Sequence, residues 1–105
     1  MFFKPHKLFK EGETMSITVI IPTILRPLTN DQKRINMSGG FRVSEVIDEM
    51  EQQFPGIKAK LIAGGAAHRF INIYVNDNDI RFCDGLATSL QDGDVLTILP
   101  AVAGG

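Results

Sequence analysis

VSEVIDEMEQQFPG, residues 43–56, decides the fold. Val43, Val46, Ile47, Met50 and Phe54 recur at i, i+3, i+4, i+7 and i+11, which gathers them on one face of an α-helix. Glu45, Asp48, Glu49, Glu51 and Gln52 take the opposite face, and Pro55-Gly56 stops the helix. The start is less sharply marked, because Arg42 is a poor N-cap and Ser44 comes late. The carboxylates read as a solvated face, since no histidine or nucleophile is spaced to join them in acid–base work. A single helix must bury its stripe against one face of a sheet, which makes a two-layer α+β domain.

Strand signals lie on both sides of the helix. Residues 16–21 (SITVII) are rich in β-branched side chains and are cut off by Pro22, so they read as a strand with a hard stop. Residues 23–31 read as a loop, with Arg26-Pro27 and an Asn30-Asp31 turn signal. Residues 33–37 alternate polar and apolar and complete an N-terminal hairpin. After the helix, residues 57–62 read as a helical turn and Ala63-Gly64-Gly65-Ala66-Ala67 as a loop. Residues 70–75 (FINIYV) form the most strand-like segment, and Asn76-Asp77-Asn78-Asp79 turns it into a second hairpin through Ile80-Arg81-Phe82. Asp84-Gly85 and Asp92-Gly93 are turns, and residues 94–99 are the last strand.

The order β-β-α-β-β-β predicts a β-grasp fold: a mixed sheet of four to five strands with one main helix packed on one face. The first and last strands lie parallel at its centre, placing Ile17, Val19, Ile21, Leu96 and Ile98 in the core. Domain organisation follows: residues 1–14 as a poorly ordered extension, 15–99 as the β-grasp domain, 100–105 as a flexible tail. The extension mixes Phe, Lys and Pro without a sustained period. It reads as disordered sequence, as translation upstream of a second start at Met15, or as a short docking segment built on Phe2, Phe3, Leu8 and Phe9.

Composition narrows the function classes. With 105 residues, 44% of them hydrophobic, there is room for one modest core. The net charge is −1, with +1 on residues 1–14 and −2 on the rest, and no basic stripe suggests nucleic acid. The longest apolar run is far too short to span a bilayer. Cys83 is the only cysteine, so an internal disulfide is impossible and a reducing, cytoplasmic setting fits. No metal spacing is recognisable in His6, His68 and Cys83. Gly64-Gly65 lacks the Lys-Ser/Thr of a phosphate loop, and residues 76–79 lack the glycine and distal glutamate of a calcium loop. Cys83 reads as a half-buried structural thiol, and His68 as a surface or hydrogen-bonding residue.

The ending Pro100-Ala101-Val102-Ala103-Gly104-Gly105 follows the apolar run Val95-Leu96-Thr97-Ile98-Leu99. Two terminal glycines lack Cβ atoms and leave a bare carboxylate on a thin stalk that fits a narrow channel. The same residues also suit an ordinary frayed end.

Residues 93–105 resemble the ubiquitin-like sulfur carriers, which include the small subunit of molybdopterin synthase and the thiamine-pathway carrier. His68-Arg69-Phe70-Ile71-Asn72-Ile73-Tyr74-Val75-Asn76-Asp77, Ile80-Arg81-Phe82 and Ile21-Pro22-Thr23-Ile24-Leu25-Arg26-Pro27 look like the carriers of an actinobacterial cysteine-biosynthesis route. The resemblance covers residues 15–105 and departs at residues 1–14 and near Phe41-Arg42, where the family has a Thr-type helix cap.

The resemblance implies a non-enzymatic protein cosubstrate with no catalytic side chain and no bound cofactor or metal. An E1-like adenylating and sulfurtransferase enzyme would use ATP to activate the Gly105 carboxylate for conversion to a thiocarboxylate. A pyridoxal-phosphate-dependent cysteine synthase would accept the sulfur, and a metal-dependent peptidase would release cysteine. Gly104, Ala103 and Val102 form the tail that enters these partners. Period two places Phe70, Asn72 and Tyr74 opposite Ile71, Ile73 and Val75. Tyr74 with Thr97, Leu99 and Pro100 is therefore expected to dock partners, unless Tyr74 simply covers the sheet. The rivals are a molybdopterin synthase small subunit, a protein modifier joined to lysines through Gly105, and an interaction module with an inert tail.

Overall fold

A computed structural model of the protein describes residues 16–38 and 42–101. Strands β1 (Ser16–Ile20) and β2 (Arg34–Ser38) form the first hairpin, followed by helix α1 (Val43–Gln53) and the short helix α2 (Ile57–Leu61). Next come the two-residue strands β3 (Ile62–Ala63) and β4 (Ala66–Ala67), then β5 (Ile71–Val75), β6 (Asn78–Asp79) and β7 (Val95–Pro100). The main sheet has five strands in the order β2-β1-β7-β5-β6. β1 and β7 are parallel at its centre, and β5 runs antiparallel to β7. This is the β-grasp arrangement.

The core is the one the periodicities predict. Ile17, Val19, Ile21, Leu96 and Ile98 are fully buried, and so are Val43, Val46, Ile47 and Met50 from α1. Ile71, Ile73 and Val75 join them from β5, at 8% exposure or less. The start of α1 is settled by backbone partners rather than by a side-chain acceptor on Arg42. Glu45 accepts from the Arg42 N–H at 3.0 Å, and the Val43 N–H bonds to the Thr88 carbonyl. A glutamate at N3 thus supplies half of a capping box that the arginine itself cannot complete.

Three connections differ from the sequence reading. Residues 23–31 hold a 3₁₀ helix, Thr23–Thr29, because Leu25 and Leu28 pack inward and the Thr29 hydroxyl is satisfied by the Arg26 and Gln32 carbonyls. Gly64 and Gly65 both take positive φ (62° and 82°), which closes β3 on β4 as a small hairpin instead of an open loop. Ile80–Phe82 is a 3₁₀ turn and not a strand. Asp79 caps it, accepting from the Arg81 N–H at 2.8 Å and pairing with the Arg81 guanidinium at 2.7 Å. A strand would put Ile80 and Phe82 on one face, whereas Ile80 is 1% exposed and Phe82 is 86% exposed.

The acidic face of α1 is structural. The Glu51 carboxylate accepts from the Lys58 and Gly56 N–H groups at about 2.9 and 3.1 Å and so caps α2 from a neighbouring helix. Those bonds, the one from Lys58 first, hold its pKa below the ordinary 4.5. A depressed carboxylate stabilises the fold above its unfolded-state pKa, and this contribution disappears as pH falls through the lower folded value. Glu51→Ala is therefore expected to lower the melting temperature at neutral pH. Scans from pH 7 to about pH 3 should show that deficit shrinking below about pH 4.

Candidate functional site

Among the described residues the helix covers one face of the sheet and leaves the other open. On that open face Tyr74 lies opposite Thr97, and Asn72 opposite Leu99. Ile20 lies beside Thr97 on the β1 side. Tyr74, Thr97 and Ile20 are half-buried and Leu99 is 43% exposed, so Tyr74, Thr97 and Leu99 share one accessible surface. Pro100, expected to join them, stands opposite Ile71 and by alternation belongs to the other face. Phe70 extends this surface at the tail end. It is 53% exposed, with the Arg69 guanidinium 4.9 Å from its ring centre and the His68 ring at 5.2 Å. The sequence reading put Phe70 on the outward side but gave it no role; the signal was its place in the same period as Tyr74.

β7 runs one residue farther than predicted, through Pro100. Among the described residues its last backbone anchor is the Ala101 N–H, which donates to the Phe70 carbonyl at 2.8 Å. Alternation along the ladder then turns the Pro100 nitrogen toward the β1 side, beyond Ile20, where β1 has already ended. A proline costs the sheet no hydrogen bond there. The tail residues Val102, Ala103, Gly104 and Gly105 lie outside the described residues. A four-residue segment of any conformation reaches at most about 14 Å beyond Ala101.

Two further polar side chains of the sequence reading, His68 and Cys83, make local hydrogen bonds. His68 Nδ1 accepts from the Phe70 N–H at 3.2 Å, in keeping with a hydrogen-bonding role. Cys83 is exposed, not half-buried as expected: it ends the Ile80–Phe82 turn, which carries it outward, and its thiol donates to the Asp79 carbonyl. Among the described residues, no cluster of three or more His, Cys, Asp or Glu side chains could hold a metal ion. No helix among them is long and apolar enough to cross a membrane.

The sequence profile of the ThiS family matches residues 19–105, from the middle of β1 to the last glycine. The chain belongs to the ThiS family. It is 53% identical over 94 residues to the sulfur carrier protein CysO of Mycobacterium tuberculosis (strain ATCC 25618 / H37Rv), an alignment covering 87% of this chain and 100% of that protein. A similar solved structure is that of the Amycolatopsis orientalis BexX/CysO complex. The match has a TM-score of 0.79 at 54% identity, covering 85% of this chain and 99% of the other. The solution structure of small archaeal modifier protein 1 from Methanosarcina acetivorans matches with a TM-score of 0.73 at 30% identity, covering 90% and 100% of the two chains. The ThiS-family assignment and these neighbours make the fold a ubiquitin-like β-grasp, with its chain end carried by the central strand.

Proposed function

We propose that this protein is a sulfur carrier that acts as a cosubstrate for partner enzymes and does no catalysis itself. The observation that carries the reading is the 53% identity to CysO along that protein's whole length. The fold suits it, because a central strand anchored on both sides presents the chain end from a rigid base. In this reading the Gly105 carboxylate attacks the α-phosphorus of ATP on an E1-like enzyme and releases pyrophosphate. A sulfur donor then displaces AMP and leaves a thiocarboxylate, whose sulfur is a better nucleophile than a carboxylate oxygen.

The acceptor is an aminoacrylate derived from phosphoserine on a pyridoxal-phosphate-dependent cysteine synthase. The sulfur adds to its β-carbon, and acyl transfer from sulfur to nitrogen leaves cysteine amide-linked to Gly105. A metal-dependent peptidase releases the cysteine with one water. ATP and pyridoxal phosphate belong to the partners, and this chain binds neither cofactor nor metal.

The decisive experiment supplies the thiocarboxylated chain, phosphoserine and the synthase, and sequences the C-terminus by tandem mass spectrometry. Cysteine attached to Gly105 supports the reading; sulfur left in place on Gly105 contradicts the cysteine route. A second reading, a protein modifier, is favoured by the 30% identity to small archaeal modifier protein 1. It predicts Gly105 joined to lysines of other proteins.

Tyr74, Thr97 and Leu99 on the open face are the docking residues in either case, with exposed Pro100 at the strand's end beside them. Tyr74→Glu places a charge in the middle of the open face without touching the core. It is expected to raise the KM for the carrier in adenylation about tenfold or more, with the circular dichroism spectrum unchanged. A folded Tyr74→Glu chain consumed at the normal rate would remove this face from the interface.

A further inference from the structure

His68 closes three hydrogen bonds around the turn that leads into β5. Its own N–H donates to the Leu61 carbonyl at 2.7 Å, which ties it to the buried end of α2. Its carbonyl accepts from the Ile71 N–H at 3.0 Å. Its half-buried ring lies 5.2 Å from that of Phe70, and Nδ1 accepts the Phe70 N–H at 3.2 Å. A backbone N–H can only donate, which leaves the ring proton on Nε2. A side chain that accepts from the N–H two positions on closes a tight turn in place of a backbone bond.

The bond matters for what it withholds. β5 and β7 pair Asn72 with Leu99 and Ile71 with Pro100, so Phe70 stands opposite Ala101. The Ala101 N–H donates to the Phe70 carbonyl at 2.8 Å. In a regular antiparallel ladder, two residues facing each other in this way exchange two bonds. Here one of the two is made. The Phe70 N–H, which would complete the pair by donating to the Ala101 carbonyl, goes to His68 instead. β7 accordingly stops at Pro100.

We infer that His68 is a positioning residue: by taking the Phe70 N–H it ends the β5–β7 ladder at half a rung and keeps the Ala101 carbonyl out of the sheet. This rests on the carrier reading, in which the residues after Ala101 extend into a partner's channel. It adds the side chain that sets where the sheet lets go. Without an acceptor on residue 68, the Phe70 N–H turns to the facing Ala101 carbonyl, because an unpaired backbone donor takes the acceptor within reach. The chain is then held by one more bond, which has to break before the tail can extend.

Nuclear magnetic resonance reads the bond, and ATP–pyrophosphate exchange by the activating enzyme from the same cells reads its consequence, both on the full chain. His68→Leu is expected to bring up a scalar coupling between the Phe70 nitrogen and the Ala101 carbonyl carbon that the unaltered chain lacks. It is also expected to lower kcat about threefold to tenfold, the worth of one additional hydrogen bond. KM should stay within about twofold, because Tyr74, Thr97 and Leu99 are untouched. His68→Asn, whose side-chain carbonyl can close the same turn, should show no such coupling and keep kcat within about twofold of the unaltered chain's. Should His68→Leu fail to fold, His68→Ala removes the acceptor without adding bulk, and the same outcomes are expected of it. A coupling already present in the unaltered chain, or absent from folded His68→Leu and His68→Ala, overturns the inference and leaves the carrier reading standing. Equal kcat values for His68→Leu and His68→Asn do the same. If the unaltered chain supports no exchange at all, the carrier reading itself fails, and the coupling alone decides what His68 does to the ladder.

Discussion

Removal of Gly105 alone is expected to abolish ATP-dependent activation of the chain, by about a thousandfold or more, while leaving the melting temperature unchanged. The asymmetry follows from where the structure's energy lies. Among the described residues the last backbone anchor is Ala101 to Phe70, and every fully buried side chain lies at or before Ile98. Deleting one residue withdraws the carboxylate by about 3.5 Å. A misplacement of about 1 Å at a reacting centre already costs on the order of a hundredfold. Exchange assays and thermal denaturation on the same sample check both halves. Normal activation of the shortened chain, or a large loss of stability, would each contradict the account.

Ile98→Ala is expected to do the reverse, costing roughly 2–5 kcal/mol of stability. Ile98 is fully buried on the central strand, opposite Ile73, with β1 on its other side. For a domain of this size that loss corresponds to a melting temperature lowered by about 10–30 °C. Thr97→Ala, one residue away on the half-buried open face, should cost far less, about 1 kcal/mol at most. Chemical denaturation of the two variants side by side reads the contrast directly. If Ile98→Ala leaves too little folded protein, Ile98→Val provides a milder version at about 0.5–1.5 kcal/mol. Equal losses at the two positions would mean that β7 is not sandwiched as described.

These contrasts were visible in the sequence because strands and helices advertise their faces by period. The stripe Val43, Val46, Ile47, Met50 and Phe54 is buried as the helical spacing requires. Tyr74 and Thr97 are brought opposite each other because both strands alternate with period two. What escaped the reading was set by side chains bonding to nearby backbone. Asp79 captures Arg81 and bends Ile80–Phe82 into a turn, a choice that β-propensity in Ile and Phe does not foretell. Cys83 is exposed as a consequence of the same turn. The cap of α1 was obscure because its partner, the Thr88 carbonyl, is 45 positions away in the chain.

The terminal Gly104-Gly105 was legible from the start as a chemical possibility, and the central position of β7 gives that possibility a rigid base.

The central claim is that other proteins place sulfur on this chain's terminal carboxyl group. Intact-mass analysis of the protein purified from its own cells, with the C-terminal peptide sequenced, tests it most directly. The account predicts a fraction in which one oxygen of Gly105 is replaced by sulfur, together with a fraction extended by one cysteine. A population carrying only an unmodified Gly105, or one joined through Gly105 to lysines, would contradict it.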